Sequence, residues 1–194
     1  MNEQIIENYR TDTLDAFRNY KRLAERALEQ VTDEEYFRAL DEESNSLAVV
    51  VKHIGGNLRS RWTDFLTSDG EKPDRDRDSE FIAESDTRAS LTDLWETGWN
   101  ALFAALAALT VADFAKTVTI RGEAFSVVKA INRSLAHTAY HVGQITFLAK
   151  HFRAKDWKTL SVPRGQSNEF NAYLADNKEQ AHYLEATREF TERK

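Results

Sequence analysis

Residues 47–65 read LAVVVKHIGGNLRSRWTDF. Apolar side chains recur in this stretch at spacings of three and four, which places them on one face of a helix. They are Leu47, Val50, Val51, Ile54, Leu58, Trp62 and Phe65. Ser44, Asn45 and Ser46 come directly before the stretch and are good N-cap residues. The sequence therefore predicts a long amphipathic helix that ends near residues 67–70.

Three other segments show the same helical periodicity. The first predicted helix covers residues 3–30, the third begins near residues 86–90, and the fourth runs from about residue 126 to 151. The end of the third, ALFAALAALT at 101–110, is apolar on nearly all sides, which predicts a buried helix. Loops are predicted for residues 32–43 and for the charged segment EKPDRDRD at 71–78, which we expect to be exposed.

One short segment has β character. Residues 117–120 read TVTI, Arg121 and Gly122 follow, and the pattern predicts a small hairpin or an extended crossover before the fourth helix. An irregular connector at 157–167 and a polar helix at 168–190 are predicted to follow. The connector is either a lid over the mouth of the bundle or a clasp for the C-terminal helix.

Four long amphipathic helices predict an all-α fold, a four-helix bundle with the small β element and an extra C-terminal helix. The second and third connections between these helices are about 15 residues long, which favours crossover connections over a simple up-down-up-down arrangement. We expect the bundle with its connector to occupy residues 1–166 and the helical tail residues 167–194.

Composition excludes several classes of protein. The chain has 194 residues, no cysteine and a formal net charge of −6. The absence of cysteine excludes a disulfide scaffold, a cysteine-ligated zinc finger, an iron–sulfur cluster and a cysteine nucleophile. The acidic balance argues against a nucleic-acid partner. The sequence shows no secretory signal and no apolar run long enough for a membrane span, so we expect a cytoplasmic protein without a membrane partner.

Histidines are the only candidates for soft-to-borderline metal ligands in the chain. His137 and His141 are four residues apart, so their rings share one helix face. On a helical wheel they lie roughly 80–120° to one side of the apolar stripe, and His53 lies about 120° to the same side of its own stripe. The three imidazoles can therefore converge inside the bundle, leaving an open fourth position as in catalytic zinc sites. His151 and His182 are interpreted as solvent-exposed.

Two adjacent glycines follow shortly after His53, with Ile54 between. Gly55 and Gly56 each cost roughly 1 kcal/mol against alanine inside a helix, which suggests either close approach of a neighbouring helix or a distortion that aims His53. Asn57, Ser60 and Ser134 fall on the histidine flank and are candidates to line a pocket.

Other metal-site templates fit less well. A zincin helix needs glutamate next to its first histidine, where this chain has Thr138. A ferritin-like di-iron site needs two Glu-x-x-His motifs, and the chain has one, from Glu179 to His182.

The histidine segments resemble the DinB-like (YfiT-like) superfamily of metal-binding four-helix-bundle proteins. The resemblance covers roughly residues 1–150 and is carried by VKHIGGN at 51–57 and HTAYHVGQI at 137–145. Within the superfamily the chain is most similar to an uncharacterised subgroup, through NLRSRWTDFLTSDG at 57–70 and LSVPRGQS at 160–167.

The resemblance implies an up-down-down-up bundle and a homodimer. It also implies a divalent metal, zinc or nickel, held by His53, His137 and His141. Characterised relatives include transferases and isomerases that use low-molecular-weight thiols.

Three functions follow as hypotheses. The first is a metal-dependent thiol S-transferase acting on a small-molecule substrate, with an external thiol because the chain has no cysteine. Alternatives are a metal-dependent hydrolase and a non-enzymatic metal-bound binding or stress-response protein. Because arginine pairs well with carboxylates, four arginines are candidates for holding the carboxylates of such a thiol: Arg59, Arg61, Arg121 and Arg164. Asn57 and Tyr140 are further candidates for binding the substrate.

Overall fold

The computed structural model describes residues 3–177 and 183–192. It divides the chain into two compact units, and the boundary lies between Phe152 and Arg153. The first unit contains α1 (Glu3–Leu28), α2 (Asp33–Phe37), α3 (Leu47–Trp62), α4 (Arg88–Ala108), β1 (Thr117–Ile120), β2 (Glu123–Ser126) and nearly all of α5 (Val127–Arg153). Short 3-10 helices occur at Asp78–Phe81 and Val111–Ala115. The all-α class with one small β element is confirmed.

Aromatic rings join three of the four long helices at the centre of the first unit. Phe17 of α1 is fully buried and meets Trp62 of α3 and Trp99 of α4 edge to face, at centroid distances of 6.2 and 6.3 Å. Edge-to-face packing suits the charge distribution of aromatic rings. These contacts fix the depth at which α1, α3 and α4 pack against one another.

Side-chain pairs along the helices give their directions. His53 of α3 faces His137 of α5, and Trp62, further along α3, faces Ser134, which lies earlier on α5. Helices α3 and α5 are therefore antiparallel. Gly55 of α3 packs against Leu94 of α4, and Trp62 shares a groove with Ala105 further along α4, so these two helices are parallel.

Helix α1 is antiparallel to α4. Lys21 pairs with Glu96 at 2.8 Å, and the carbonyl of Leu28, the last residue of α1, accepts a hydrogen bond from Arg88 at the start of α4. With α3 parallel to α4 and antiparallel to α5, the bundle has the up-down-down-up arrangement.

Capping residues start the helices where the sequence predicts. The Ser46 hydroxyl accepts from the amide of Val49 at the start of α3, and the Ser126 hydroxyl accepts from that of Lys129 at the start of α5. Such caps satisfy amides that lack a partner within the helix.

Two helix boundaries differ from the prediction. Helix α3 ends at Trp62 rather than near residues 67–70, and Asp64 then adopts the left-handed conformation with φ of 49°. Helix α2 lies inside the predicted loop 32–43. It has a capping box in which Thr32 and Glu35 exchange hydrogen bonds, and the Thr-x-x-Glu pattern is a sequence signal for a helix start.

The predicted hairpin is confirmed. Strands β1 and β2 pair antiparallel, with Ile120 opposite Glu123. Arg121 and Gly122 form the turn with φ of 55° and 76°. The carboxylate of Asp69 accepts from both turn amides at 2.8 and 2.9 Å, which ties the hairpin to the loop after α3.

Two expectations about exposure need correction. The apolar end of α4 is not buried on all sides, because Ala104, Ala107 and Ala108 are exposed. Most of loop 71–78 is exposed as expected, but the side chain of Arg75 is only 3% exposed. Ion pairs bury this arginine, a cause that hydrophobicity patterns do not reveal.

The second unit contains a 3-10 turn at Ala154–Asp156, α6 (Ser167–Asp176) and α7 (Tyr183–Glu192). Two helices therefore stand where one was predicted. Phe170 and Phe190 pack edge to face at 5.3 Å, and the Tyr173 hydroxyl donates to Glu189. The predicted boundary at residue 166 and the role of the connector stay predictions.

Among the residues that the structure describes, no helix is long and apolar enough to cross a membrane.

Candidate metal centre

Three histidines converge between α3 and α5. The Nε2 atom of His137 lies 3.1 Å from Nε2 of His53 and 3.2 Å from Nε2 of His141. One ligand atom from each ring lies within 4.8 Å of the others. His53 is buried and the other two are half-buried. The one-turn spacing on α5 and the facing position on α3 thus bring the three predicted residues together, and they could hold a metal ion.

The two glycines after His53 serve two different contacts. A Cβ on Gly55 would lie 3.0 Å from the carbonyl oxygen of Leu94, and one on Gly98 would lie 2.5 Å from the carbonyl oxygen of Gly55. Glycine at 55 and at 98 therefore lets α3 and α4 approach closely, which is the close-approach interpretation of the glycine pair. A Cβ on Gly56 would collide with the carboxylate of Glu80. Helix α3 continues through both glycines.

Glu80 positions the ring of His53. Its Oε2 accepts from Nδ1 of His53 at 2.8 Å, and Arg75 donates to both carboxylate oxygens, from Nε at 2.7 Å and from Nη2 at 2.8 Å. Burial alone would raise the pKa of Glu80, but hydrogen bonds from His53 and Arg75 outweigh it and hold the pKa below its ordinary value. Because a carboxylate only accepts, Nδ1 of His53 carries the proton of this hydrogen bond, and the Nε2 lone pair of the neutral ring faces the other histidines.

Gln144 positions the ring of His141, as Glu80 positions that of His53. Its Oε1 accepts from Nδ1 of His141 at 2.7 Å, so the Nε2 lone pair of this ring also faces the cluster. Burial and the neighbouring histidines His141 and His53 lower the pKa of His137 to about 3. Burial also lowers the pKa of His141. The hydrogen bond to Gln144 opposes this shift at His141, but burial outweighs it. The lowered pKa values of His137 and His141 favour neutral imidazoles, the form that binds metals.

The histidine cluster fits a divalent ion. Zinc-bound nitrogens at about 2.0–2.1 Å in tetrahedral geometry lie about 3.3 Å apart, close to the two observed Nε2–Nε2 distances. At least two lone pairs point toward the third nitrogen, and a cation between them would satisfy all three. Hydrogen bonds from the outer ring nitrogens to a carboxylate and an amide are the usual support for such ligands.

A cavity of about 240 Å³ adjoins the cluster. Its lining includes two of the histidines, five arginines and a wall of aromatic and apolar groups, and no aspartate or glutamate among the described residues; the lining residues are His53, Asn57, Arg61, Trp62, Phe65, Arg75, Arg77, Ile120, Arg121, Ala130, Arg133, Ser134 and His137. The cavity is therefore strongly positive next to the histidines.

Glu71 compensates part of this charge from behind the lining. Its carboxylate pairs with Arg61 at 2.7 Å, with Arg121 at 3.0 Å and with Arg75 at 3.3 Å. Burial alone would raise the pKa of Glu71, but hydrogen bonds from Arg61 and Arg121 lower it. The loop at 71–78, α3 and the hairpin are thus joined by one ion-pair network around the cavity.

The predicted substrate-binding residues fall into two groups. Asn57, Arg61 and Arg121 line the cavity. Tyr140 does not line it: its side chain is 64% exposed and its ring meets that of His141 at 4.9 Å. Arg164 belongs to the second unit and is exposed.

The remaining polar and histidine candidates lie partly at the cavity and partly away from it. Ser134 lines the cavity, whereas the Ser60 hydroxyl donates to the carbonyl of Gly70. Arg59 pairs with Asp74. His151 is exposed as expected, and His182 lies outside the described residues.

Sequence reasoning missed Glu80, Arg75 and Gln144. Gln144 had a detectable signal, because it lies three residues after His141 and so on the same helix face. Gly56 was an indirect signal for Glu80, since a glycine inside a helix leaves room for another group. Arg75 had no signal in its charged loop.

Comparisons with known proteins identify the family of the chain. Residues 4–166 match the family described as "Protein of unknown function (DUF1572)". No curated protein and no solved structure matches the chain significantly. Since the match covers most of the chain, from the start of α1 to the residue before α6, the protein belongs to the DUF1572 family.

Proposed function

We propose that the protein is a divalent-metal-binding member of the DinB-like superfamily, with His53, His137 and His141 as ligands. The convergence of three Nε2 atoms supports the proposal most directly. The hydrogen bonds of His53 to Glu80 and of His141 to Gln144 add support, because they aim free lone pairs at one point. Zinc and nickel are the expected metals, and both accept imidazole ligands.

We further propose that the metal serves a thiol S-transferase reaction with an external low-molecular-weight thiol. The cavity beside the histidines supports this function, because thiols such as glutathione and bacillithiol carry carboxylates and the lining is rich in arginine. When bound, a divalent metal would favour the nucleophilic thiolate form of such a thiol. The chain has no cysteine that could compete as ligand or nucleophile.

Residues of the cavity would bind and orient the thiol. Asn57 and Ser134 offer hydrogen bonds to its polar groups, and the rings of Trp62 and Phe65 exclude water from the inner wall. Arg61 is held in place by its ion pair with Glu71. Glu80 keeps the proton of His53 on Nδ1.

The cavity lining argues against the hydrolase alternative. No described carboxylate lines the cavity, and that of Glu80, next to His53, is occupied by His53 and Arg75. A hydrolytic site usually needs such a group as general base. The non-enzymatic alternative is an outcome of the experiments below.

Elemental analysis of the purified full-length chain tests the metal site. Wild-type protein loaded with zinc or nickel should hold about one ion per chain, and the His137→Ala/His141→Ala variant should hold none. His151→Ala is the matched control, since His151 is an exposed histidine on the same helix. Zinc should also raise the melting temperature of wild type and of the control but not of the double variant. Full metal content in the double variant would refute the ligand assignment.

Activity is tested with the metal-loaded protein, an electrophile such as a chlorinated nitrobenzene, and glutathione, bacillithiol or mycothiol. Conjugation above the uncatalysed rate that disappears in His137→Ala/His141→Ala is expected. A metal-loaded protein without activity toward any of the thiols would favour the non-enzymatic alternative.

The superfamily resemblance also leads us to propose a homodimer, which sedimentation velocity tests directly. A cytoplasmic location stays a prediction from the sequence.

A further inference from the structure

The cavity beside the histidines contains more positive charge than its acidic neighbours neutralise. Three of the five lining arginines, Arg61, Arg75 and Arg121, share the carboxylates of Glu71 and Glu80. Five arginines and these two carboxylates leave a net charge of +3 around the cavity. A concentration of positive charge along one cavity attracts a ligand that carries the opposite charge.

Two lining arginines have no carboxylate partner among residues 3–177 and 183–192. Arg77 lies over the face of Phe81, at 5.0 Å from the ring centroid, and Arg133 lies 5.9 Å from the centroid of Phe125. Both guanidiniums are otherwise available to a ligand. Arginine forks bind carboxylate and phosphate oxygens in pairs.

Both arginines are close to the histidine cluster. Arg133 precedes His137 by four residues on α5, so the two side chains share a helix face, and its charge contributes to the lowered pKa of His137 after burial and the other histidines. Phe81, under Arg77, lies 5.2 Å from the ring of His53. An anion held by both arginines would therefore lie next to the Nε2 atoms.

A third arginine of the lining, Arg61, also has a guanidinium nitrogen without a partner. Arg61 is only 6% exposed, lines the cavity, and its Nε is buried without a hydrogen-bond partner. Burial lowers the pKa of Arg61 despite its pairing with Glu71, and the nearby charges of Arg75 and Arg133 lower it further. A buried guanidinium nitrogen without a partner is rare and costly, and an anionic oxygen would satisfy it.

We propose that this cavity binds a small molecule with at least two negative charges, as two carboxylates or as a phosphate, through Arg77, Arg133 and Arg61. The inference rests on the proposed function only for the role of this molecule as thiol co-substrate or substrate. Its charge follows from the lining. A monoanion would leave most of the unpaired charge in place, so the charge requirement distinguishes the ligand class.

Calorimetric titration of the full-length protein tests the inference with probes of defined charge. Succinate and inorganic phosphate are the dianionic probes at pH 8, and acetate is the monoanionic control. Each is titrated into metal-free and zinc-loaded protein in low-salt buffer. Because the metal-free form is included, the result does not depend on whether the metal proposal holds.

Arg77→Gln and Arg133→Gln, singly and together, remove the free guanidiniums. Arg59→Gln is the matched control, since it removes the same charge from α3 at a residue that pairs with Asp74 and does not line the cavity. Arg77 and Arg133 are exposed, and the side chain of Arg59 is 43% exposed, so we expect all variants to fold. Circular dichroism checks this.

At least one dianion should bind at least about tenfold more tightly than acetate, and the double variant should lose at least about tenfold in affinity while the control changes less than about twofold. Binding of succinate alone assigns a dicarboxylate ligand, and binding of phosphate alone assigns a phosphate ester. The inference is overturned if neither dianion binds better than acetate, or if the Arg77/Arg133 double variant binds like the control.

Discussion

Replacing Gly56 by alanine should weaken metal binding without touching any metal ligand. The new Cβ would lie 3.0 Å from Cδ of Glu80 and closer still to one carboxylate oxygen. A carboxylate on a flexible side chain can usually move aside. This one is only 4% exposed and is held by His53 and by two bonds from Arg75, so it can move only by breaking them.

The magnitude follows from those bonds. Alanine gains about 1 kcal/mol of helix propensity over glycine. Displacing a buried carboxylate from charged partners costs about 3 kcal/mol, so the free energy of unfolding should fall by about 2 kcal/mol. Loss of the hydrogen bond that orients a histidine ligand typically costs about 10–100-fold in metal affinity, and we expect that range for zinc.

Gly143→Ala is the matched control. Gly143 is an exposed helical glycine on α5, and a Cβ there meets nothing within 4 Å. This variant should keep its zinc affinity and gain about 0.5–1 kcal/mol of stability. Zinc affinity is measured by competition with a chromophoric chelator, and stability by urea unfolding of the metal-free protein. Equal zinc affinities for the two glycine variants would refute the positioning role of Glu80.

Three further substitutions test the fold. Phe17→Ala should lower the free energy of unfolding by about 3–5 kcal/mol, because the ring is fully buried between two tryptophans, and a loss below about 1 kcal/mol in urea unfolding would contradict this packing. Gly98→Ala should destabilise despite its higher helix propensity, since its Cβ would lie 2.5 Å from the backbone oxygen of Gly55; a melting temperature at or above that of wild type would show that α3 and α4 are not in close contact. Asp113 accepts from Lys116 and Thr110, which lowers its pKa from 3.8 to about 2, so its stabilising effect is present above about pH 4 and is lost as the pH falls toward 2. The difference in melting temperature between wild type and Asp113→Asn should therefore shrink over that interval, and a constant difference would exclude this linkage.

Local sequence was sufficient to predict the four long helices, the hairpin and two helix starts. Helical periodicity and capping depend on residues within one or two turns, so they can be read without knowing the fold. The early end of α3 was missed because the stripe continues to Phe65, while the backbone turns at Asp64. Helix α2 was missed although its Thr32–Glu35 capping box is visible in the sequence.

The candidate ligands His53, His137 and His141 also came from the sequence, because helix geometry fixes which face each residue occupies. Their convergence needed the antiparallel packing of α3 and α5, which no local pattern encodes. Glu80 lies 27 residues after His53 in the chain, in a segment without periodicity, and only the folded loop brings the two together.

The sequence by itself determined the four long helices, the face of each helix that carries histidine, and the exclusion of cysteine from any metal or nucleophilic role. Tertiary structure decided which arginines are neutralised and which remain available. Nothing in the sequence shows that Arg61 and Arg121 share Glu71, or that Arg77 and Arg133 have no carboxylate partner in the described residues. The physical reason is that the charge state of a site depends on distances between segments, and those distances exist only after the loop at 71–78 and the hairpin have packed against α3.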